Sequence, residues 1–221
     1  MTMTTSPQSA LTWQDDAIPV STRFDDPYFS KNDGLSETRH VFLQGNDLPA
    51  RLSPGFHVAE LGFGTGLNLL ALSLITTIPT RFTSFEAFPL ASEDIARALD
   101  HFPEARRVAE PFLTAWAKGE TKFQLGQITA EVILGDARET LAAWSGKADA
   151  WFLDGFSPAK NPELWSPEIL TEVARHTAPG GTFATYTAAG HVRRALQDAG
   201  FAVTRLPGHG RKKHMSAGTL T

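Results

Sequence analysis

Apolar positions along this chain fall into short continuous runs separated by stretches in which they recur every three or four residues. The runs are Val58–Leu61, Arg81–Glu86, Ile128–Leu134, Ala148–Leu153, Thr182–Tyr186 and Ala202–Leu206, each of strand length and rich in β-branched or aromatic residues. Helical periodicity fills the gaps. Leu67–Ile75 is apolar on nearly every side, and the helix opened by Pro89 carries Leu90, Ile95, Ala98, Leu99 and Phe102 near one face. Further helices are expected over roughly Ala105–Trp116, Arg138–Trp144, Pro167–His176 and Ala189–Ala199. Lys122–Leu125, with Gly126-Gln127 behind it, reads as a hairpin feeding the run at 128–134. Strands alternating with helices predict an α/β protein with a doubly wound, mostly parallel sheet. Ligands of such sheets lie beyond the strand C-termini at the switch point, and Glu60, Glu86, Asp136 and Asp154 are all carried to that edge.

The first fifty residues break this rhythm. Residues 1–16 read as loose and polar, and the following stretch mixes Phe24, Tyr28 and Phe29 with Asp25, Asp26 and Pro27. Ser36 is a plausible N-cap for a short helix over Glu37–Leu43, stopped by Gly45-Asn46. Residues 1–50 are therefore expected to form an N-terminal extension or cap on a main domain at 51–221. The aromatics either bury against the core or wall a substrate pocket.

At 221 residues, with 42% apolar and 20% charged side chains, the chain can bury one sizeable α/β core and is not of a disordered type. The absence of cysteine excludes disulfide and thiolate–metal frameworks. No secretion signal and no apolar run long enough for a bilayer are visible, so the expectation is a cytoplasmic protein without a membrane partner. Scattered histidines and no H-E-x-x-H make a metal site unexpected. A net charge of −4 argues against a general nucleic-acid binder. Its distribution changes that picture: from Arg193 to the C-terminus, Arg193, Arg194, Arg205, Arg211, Lys212 and Lys213 face only Asp198. Such a cluster is either a solvated tail or a phosphate-binding patch.

Candidate chemistry starts at His57–Gly66, HVAELGFGTG. Glycines at a strand–helix turn allow positive φ and close backbone approach, and the helix behind them directs unpaired N–H groups into the turn. A dinucleotide fingerprint needs its third glycine where Leu67 stands, which disfavours a nicotinamide cofactor. Glu60 followed by Gly62, Gly64 and Gly66 is instead similar to motif I of S-adenosylmethionine-dependent methyltransferases; a turn that merely lets helix and strand pack is the alternative. Glu86, 20 residues beyond Gly66, is placed to accept ribose hydroxyls. Asp136 has a structural role open to it as a helix N-cap, or could receive an adenine amino group. In the loop Asp154–Pro162, a carboxylate can take or relay the proton of an amine nucleophile, and Phe156 can stack on a flat base. D-G-F-S-P is similar to the D-P-P-Y loop of amine-directed nucleic-acid methyltransferases, with Gly155 replacing the first proline.

DAWFLDGFSPAKNPELW (149–165) resembles the methyltransferase half of the MnmC family, bacterial enzymes that finish the 5-methylaminomethyl group of wobble uridine in tRNA. The resemblance extends through STRFDDPYFS, GLSETRHVFLQGNDLPAR, ELGFGTGLNLL, SFEAFPL, GGTFATYTAAGHVRRALQDAGF and GHGRKKHM, most of the chain. It implies a Rossmann-like class I methyltransferase that uses S-adenosyl-L-methionine to methylate the amine of 5-aminomethyl-(2-thio)uridine. By the resemblance Asp154 is catalytic. Glu60, Gly62, Phe63, Gly64, Thr65, Gly66 and Asn68 hold the cofactor with Glu86, Asp136, Ala137 and Asp154. Tyr28, Phe29, Phe156 and Lys160 line the uridine pocket. Arg193, Arg194, Arg211, Lys212 and Lys213 meet tRNA phosphates. The family's bifunctional members also carry an FAD-dependent oxidase. No second glycine fingerprint occurs in these 221 residues, so no FAD and no oxidase step are expected. The competing readings are a methyltransferase for a small-molecule amine and a binding module that keeps the fold without catalysis.

Overall fold

The computed structural model describes residues 10–30 and 33–221. Strands β1 (Leu11–Gln14), β2 (Ile18–Ser21) and β3 (Asp26–Pro27) form a small antiparallel sheet. Helix α1 (Gly34–Thr38) continues through a π-helical turn, Arg39–Leu43, and a 3-10 turn, Gln44–Asn46. Then come β4 (Phe56–Leu61), α2 (Leu67–Ser73), β5 (Thr80–Glu86), α3 (Ser92–Leu99), α4 (Pro103–Val108) and α5 (Glu110–Ala117). The hairpin β6 (Lys122–Leu125) and β7 (Ile128–Leu134) is followed by α6 (Ala137–Ala143) and β8 (Ala148–Leu153). After a 3-10 turn at Pro162–Trp165 the chain ends with α7 (Pro167–Arg175), β9 (Thr177–Thr185), α8 (Gly190–Asp198), β10 (Phe201–Pro207) and β11 (His214–Leu220).

The main sheet has eight strands in the order β10-β11-β9-β8-β4-β5-β7-β6. The five central strands pair in parallel, and β6, β10 and β11 are antiparallel additions. From β4 the chain moves outward through β5 and β7, then returns to lay β8 on the other side of β4. That reversal is the switch point, and it sets the ends of β4 and β8 side by side, with Asp154 N donating to Leu61 O at 3.1 Å. Pleating divides the core as alternation demands. Val58, Phe82, Ala150 and Phe152 pack beneath α2–α5, whereas Ala59, Leu61, Trp151 and Leu153 pack beneath α6–α8.

The sequence expectations hold for the six strand runs, with boundaries shifted by a few residues. The helix expected from Pro89 begins at Ser92, and the stretch Ala105–Trp116 divides at Ala109 into α4 and α5, with Pro111 in the first turn of the second. Three further features differ. Leu11–Gln14, expected as loose chain, pairs with β2; residues 1–9 of that stretch lie outside the described residues. The helix begins earlier than Ser36 predicts, because the Asp33 carboxylate accepts the Ser36 N–H at 3.0 Å and takes the cap. It also runs past Gly45 to Asn46, and Asp47, with φ +55°, stops it. Finally, the basic C-terminal segment contributes β11, which the alternation of runs does not mark and which inserts between β9 and β10. Met215, Ser216 and Ala217 are buried there, and Ser216 Oγ donates to Thr187 O. Small polar residues give such a strand little hydrophobic signal.

The N-terminal helix shares the main core: Val41, Phe42 and Leu43 are buried with Phe152, Ala184 and Met215. Gly45 makes the approach possible, since a Cβ there would lie 2.7 Å from Ala184 Cβ and 2.9 Å from Met215 Cε. Gly45→Ala overpacks this contact and is expected to lower unfolding stability by about 1–3 kcal/mol, read from the urea midpoint. An unchanged midpoint would mean that the helix is not closed on the sheet in solution.

Candidate active site

The turn after β4 uses its three glycines for three purposes. At Gly62, φ is +87° and a side chain would run into the Asp154 carbonyl oxygen, so glycine lets the β4 and β8 loops touch. Gly64, with φ +53°, donates its N–H to Glu86 Oε2 at 2.9 Å. Gly66 faces away from the cavity: a Cβ would press on Phe112 and Phe63 at 3.0–3.1 Å, so it serves helix packing. Glu86 also accepts the Phe88 N–H at 2.7 Å. Burial pushes the Glu86 carboxyl upward, and these backbone donors pull it partly back.

Beside the turn lies a cavity of about 470 Å³. Gly62–Thr65 and Asn68 form one wall, Glu86–Phe88 and Asp136–Arg138 a second, and Asp154–Ser157 a third. Tyr28, Glu37, Tyr186 and Lys212 close the remainder. Asp154 Oδ2 accepts a hydrogen bond from Asn68 Nδ2 at 2.7 Å, and the same amide donates to Glu60 Oε1 at 2.8 Å. Thr38 Oγ1 donates to Asn68 Oδ1, which fixes the amide so that its NH₂ meets both acids. Ser84 Oγ completes the chain by donating to Glu60 Oε2. Burial raises the Asp154 pKa from 3.8 to about 7, opposed by the Asn68 bond and the charge of Lys212 and helped by the charge of Glu37. At neutral pH this acid is poised to gain or lose a proton.

The aromatic wall is already layered. Phe156 stacks on Phe24 with centroids 4.8 Å apart and meets Tyr28 edge-on at 5.0 Å. Its loop is stapled from several sides: Ser157 N donates to Asp26 Oδ2, Trp165 Nε1 to Phe156 O, and Tyr186 OH to Gly155 O.

Several sequence-derived assignments change here. Glu60 is completely buried and acts on the cavity only through Asn68, because β4 turns its side chain under the glycine loop. Lys160 does not line the cavity; it bonds Asp25 and lies 3.8 Å from Asp26 Oδ1, latching its loop to the N-terminal sheet. Phe29 is largely core, set edge-on against Phe102, and only borders the cavity. Asp136 does cap α6 through Arg138 N, but the Arg138 guanidinium also grips both its oxygens and depresses its pKa. Arg211 and Lys213 are exposed on the β10–β11 turn, Arg194 is exposed on α8, and Arg193 is half-buried. Lys212 instead reaches into the cavity, where its Nζ lies 2.7 Å from Glu37 Oε1. Glu37 and Tyr186 were missed altogether. The available signal was an acid on the inward stripe of an amphipathic helix, beside Leu35, Thr38 and Val41. Among the described residues no cluster of His, Asp and Glu could hold a metal, and no helix is long and apolar enough to cross a membrane.

A switch-point glycine turn, an acid at the end of the neighbouring strand and a perturbed carboxylate in one cavity define a class I methyltransferase fold and site. The sequence profile of a family described as S-adenosyl-L-methionine-dependent methyltransferase matches residues 103–221, and the chain belongs to that family. It is 44% identical over 225 residues to the tRNA 5-methylaminomethyl-2-thiouridine biosynthesis bifunctional protein MnmC of Pseudomonas paraeruginosa, covering 95% of this chain and 34% of that protein. The protein of the same name from a Caulobacter species is 47% identical over 223 residues, covering 93% and 37%. The chain thus spans about a third of the length of these curated relatives. The crystal structure of MNMC2 from Aquifex aeolicus superposes with a TM-score of 0.77 at 26% identity, covering 99% of this chain and 72% of that one.

The raised Asp154 pKa has a consequence for stability. Between about pH 4 and pH 7 the unfolded chain loses this proton while the folded chain keeps it, so stability falls as pH rises through that window. Asp154→Asn is expected to flatten this part of the profile and to be more stable than the wild type at pH 8. Identical pH profiles of thermal unfolding for the two proteins would show that Asp154 is not held near 7.

Proposed function

We propose that this chain transfers the methyl group of S-adenosyl-L-methionine to the primary amine of 5-aminomethyl-(2-thio)uridine at the wobble position of tRNA. The product is the 5-methylaminomethyl form. The observation that carries the reading is Asp154: a half-buried carboxylate at the cavity wall, poised near 7, with a layered aromatic wall beside it and the glycine turn against its own carbonyl. The names of the MnmC relatives support the tRNA substrate.

The cavity fits the cofactor. Gly62, Phe63, Gly64 and Thr65 offer a backbone edge without obstructing side chains, and Glu86 and the Asp136–Ala137 segment stand at the ends of β5 and β7. These residues would hold S-adenosyl-L-methionine, with Asn68 at the Asp154 end. When bound, the cofactor supplies an electrophilic methyl on a sulfonium. The chain's own residues must then deliver a lone pair. A free alkyl amine, with a pKa of about 10.4, arrives protonated. Ionised Asp154 accepts its proton while Asn68 keeps the carboxylate oriented toward the cavity. Tyr28 and Phe156 position the flat base so that nitrogen and methyl meet in line. The amine nitrogen would then take the methyl as the sulfur–carbon bond breaks, with the displaced proton held by Asp154 or passed to solvent. Arg194, Arg211 and Lys213 take tRNA phosphates, with half-buried Arg193 beside them in sequence. The reaction starts from the aminomethyl tRNA, and no flavin chemistry enters it. Its substrate places it in the cytoplasm.

Labelled methyl from S-adenosyl-L-methionine is expected to enter tRNA that carries the aminomethyl group and not tRNA that carries its carboxymethyl precursor. Absence of label in both pools overturns the tRNA reading in favour of a small-molecule amine. Transfer should rise with pH through about 7, and Asn68→Ala should move that midpoint upward by removing a bond that favours the ionised acid. A midpoint unmoved in single-turnover assays would take Asp154 out of the proton transfer. Neutralising Arg194, Arg211 and Lys213 together should weaken tRNA binding and lower the slope of log K against log salt by roughly 2–3. An unaltered slope would show that these side chains do not meet phosphate.

A further inference from the structure

The turn between β10 and β11 is fixed against the N-terminal helix. His209 Nε2 lies 3.1 Å from Ser36 Oγ, and His40 Nε2 lies 3.0 Å from Pro207 O. Gly208 N donates to Lys213 O, and a side chain at Gly208 would run into Lys212 O, so the turn is closed tightly. Arg211, Lys212 and Lys213 are all exposed, and of the three only Lys212 also lines the cavity. There its Nζ lies 2.7 Å from Glu37 Oε1 and 4.2 Å from the centroid of the Tyr186 ring. Lys212, Glu37 and Asp154 line the same cavity, so this pair shares it with the proposed proton acceptor.

An ammonium between a carboxylate and an aromatic face is the arrangement that holds alkylammonium ligands. The lysine fills it as an ion pair: Glu37 Oε1 is buried and meets the Lys212 ammonium at 2.7 Å, outside hydrogen-bond alignment. The substrate argued above carries the same functional group, a primary ammonium on a single carbon. We propose that Glu37 and the Tyr186 ring form a recognition subsite for the substrate ammonium, which Lys212 fills in the tRNA-free protein and vacates when the substrate enters. The proposal rests on the amine reading of the same site. It leaves Glu37 paired with an ammonium, brings the nitrogen to Asp154, and releases Lys212 to join Arg211 and Lys213 at phosphate. It also supplies selectivity, because a carboxymethyl substituent would set its carboxylate against both Glu37 and Asp154.

The test separates the subsite from the tRNA reading by using n-butylammonium as a probe. It is titrated at millimolar concentration into the wild type, Lys212→Met and the double variant Lys212→Met/Glu37→Gln, with Tyr186 ring signals followed by NMR. Lys212→Met is expected to bind the probe at least fivefold more tightly than the wild type, and Glu37→Gln added to it should abolish that gain. In steady-state transfer to aminomethyl tRNA, Glu37→Gln should raise KM about tenfold with a smaller change in kcat. Binding of the probe by Lys212→Met no tighter than by the wild type overturns the proposal. So does a gain that survives Glu37→Gln. If the probe behaves as expected while neither tRNA pool accepts label, the subsite stands and the tRNA substrate falls.

Discussion

The hydrogen bonds of one neutral side chain decide how this site can exist. The switch point brings Glu60 and Asp154 to the same sheet edge, where Glu60 is fully buried and Asp154 is half-buried at the cavity wall. Two carboxylates so placed would repel each other and raise the energy of the fold unless donors met them. Asn68, on the first turn of α2, donates one N–H to each acid and is itself held by Thr38. Its geometry depends on Gly62, whose missing side chain allows the β4 and β8 loops to touch, and on the N-terminal helix that supplies Thr38. Sheet, glycine turn and added helix therefore meet in one amide. The burial that makes Glu60 hard to ionise also leaves Asp154 near the middle of its titration at neutral pH.

The acids farther along the edge are handled differently, and the difference is informative. Glu86 accepts the Gly64 N–H on one oxygen and the Phe88 N–H on the other while it lines the cavity. It can accept ligand hydroxyls without releasing the loop it organises. Asp136 is gripped by a guanidinium, but that arginine is largely exposed and held by a surface pair of small worth. Exchanging such a partner for a ligand donor is inexpensive. The Asn68 network thus holds the Asp154 carboxylate in place, whereas the partner of Asp136 can be exchanged.

How much of this was readable from residues alone follows from what sequence signals measure. Parallel strands buried on both faces write themselves as apolar runs, so the core order from Val58 to Leu153 and the acids at the strand ends were legible. The loop at Asp154 was legible because its residue types have few structural uses together. What the sequence concealed depends on direction and on distant partners. Spacing placed Glu60 in the motif but could not show that β4 points it beneath the turn. Lys160 carries the charge of a substrate ligand, yet Asp25 and Asp26, more than a hundred residues away, claim it. Asp33 displaced Ser36 as the cap because both are competent and only backbone direction chooses between them.

Lys212 is the sharpest case of the same limit. Counting charges groups it with Arg211 and Lys213, and all three look like one basic patch. A tight turn closed over Gly208 gives neighbouring residues opposite orientations, so the middle cation leaves its neighbours and meets Glu37 and Tyr186. That inward turn has a physical reason. Glu37 sits on the buried stripe of its helix, and a buried carboxylate without a cation would be costly. Yet Lys212 is still 43% exposed, so the pairing is partly screened by solvent and can be undone. A carboxylate that must always have a cation, and a lysine that can leave, together make a position that a cationic substrate can take over.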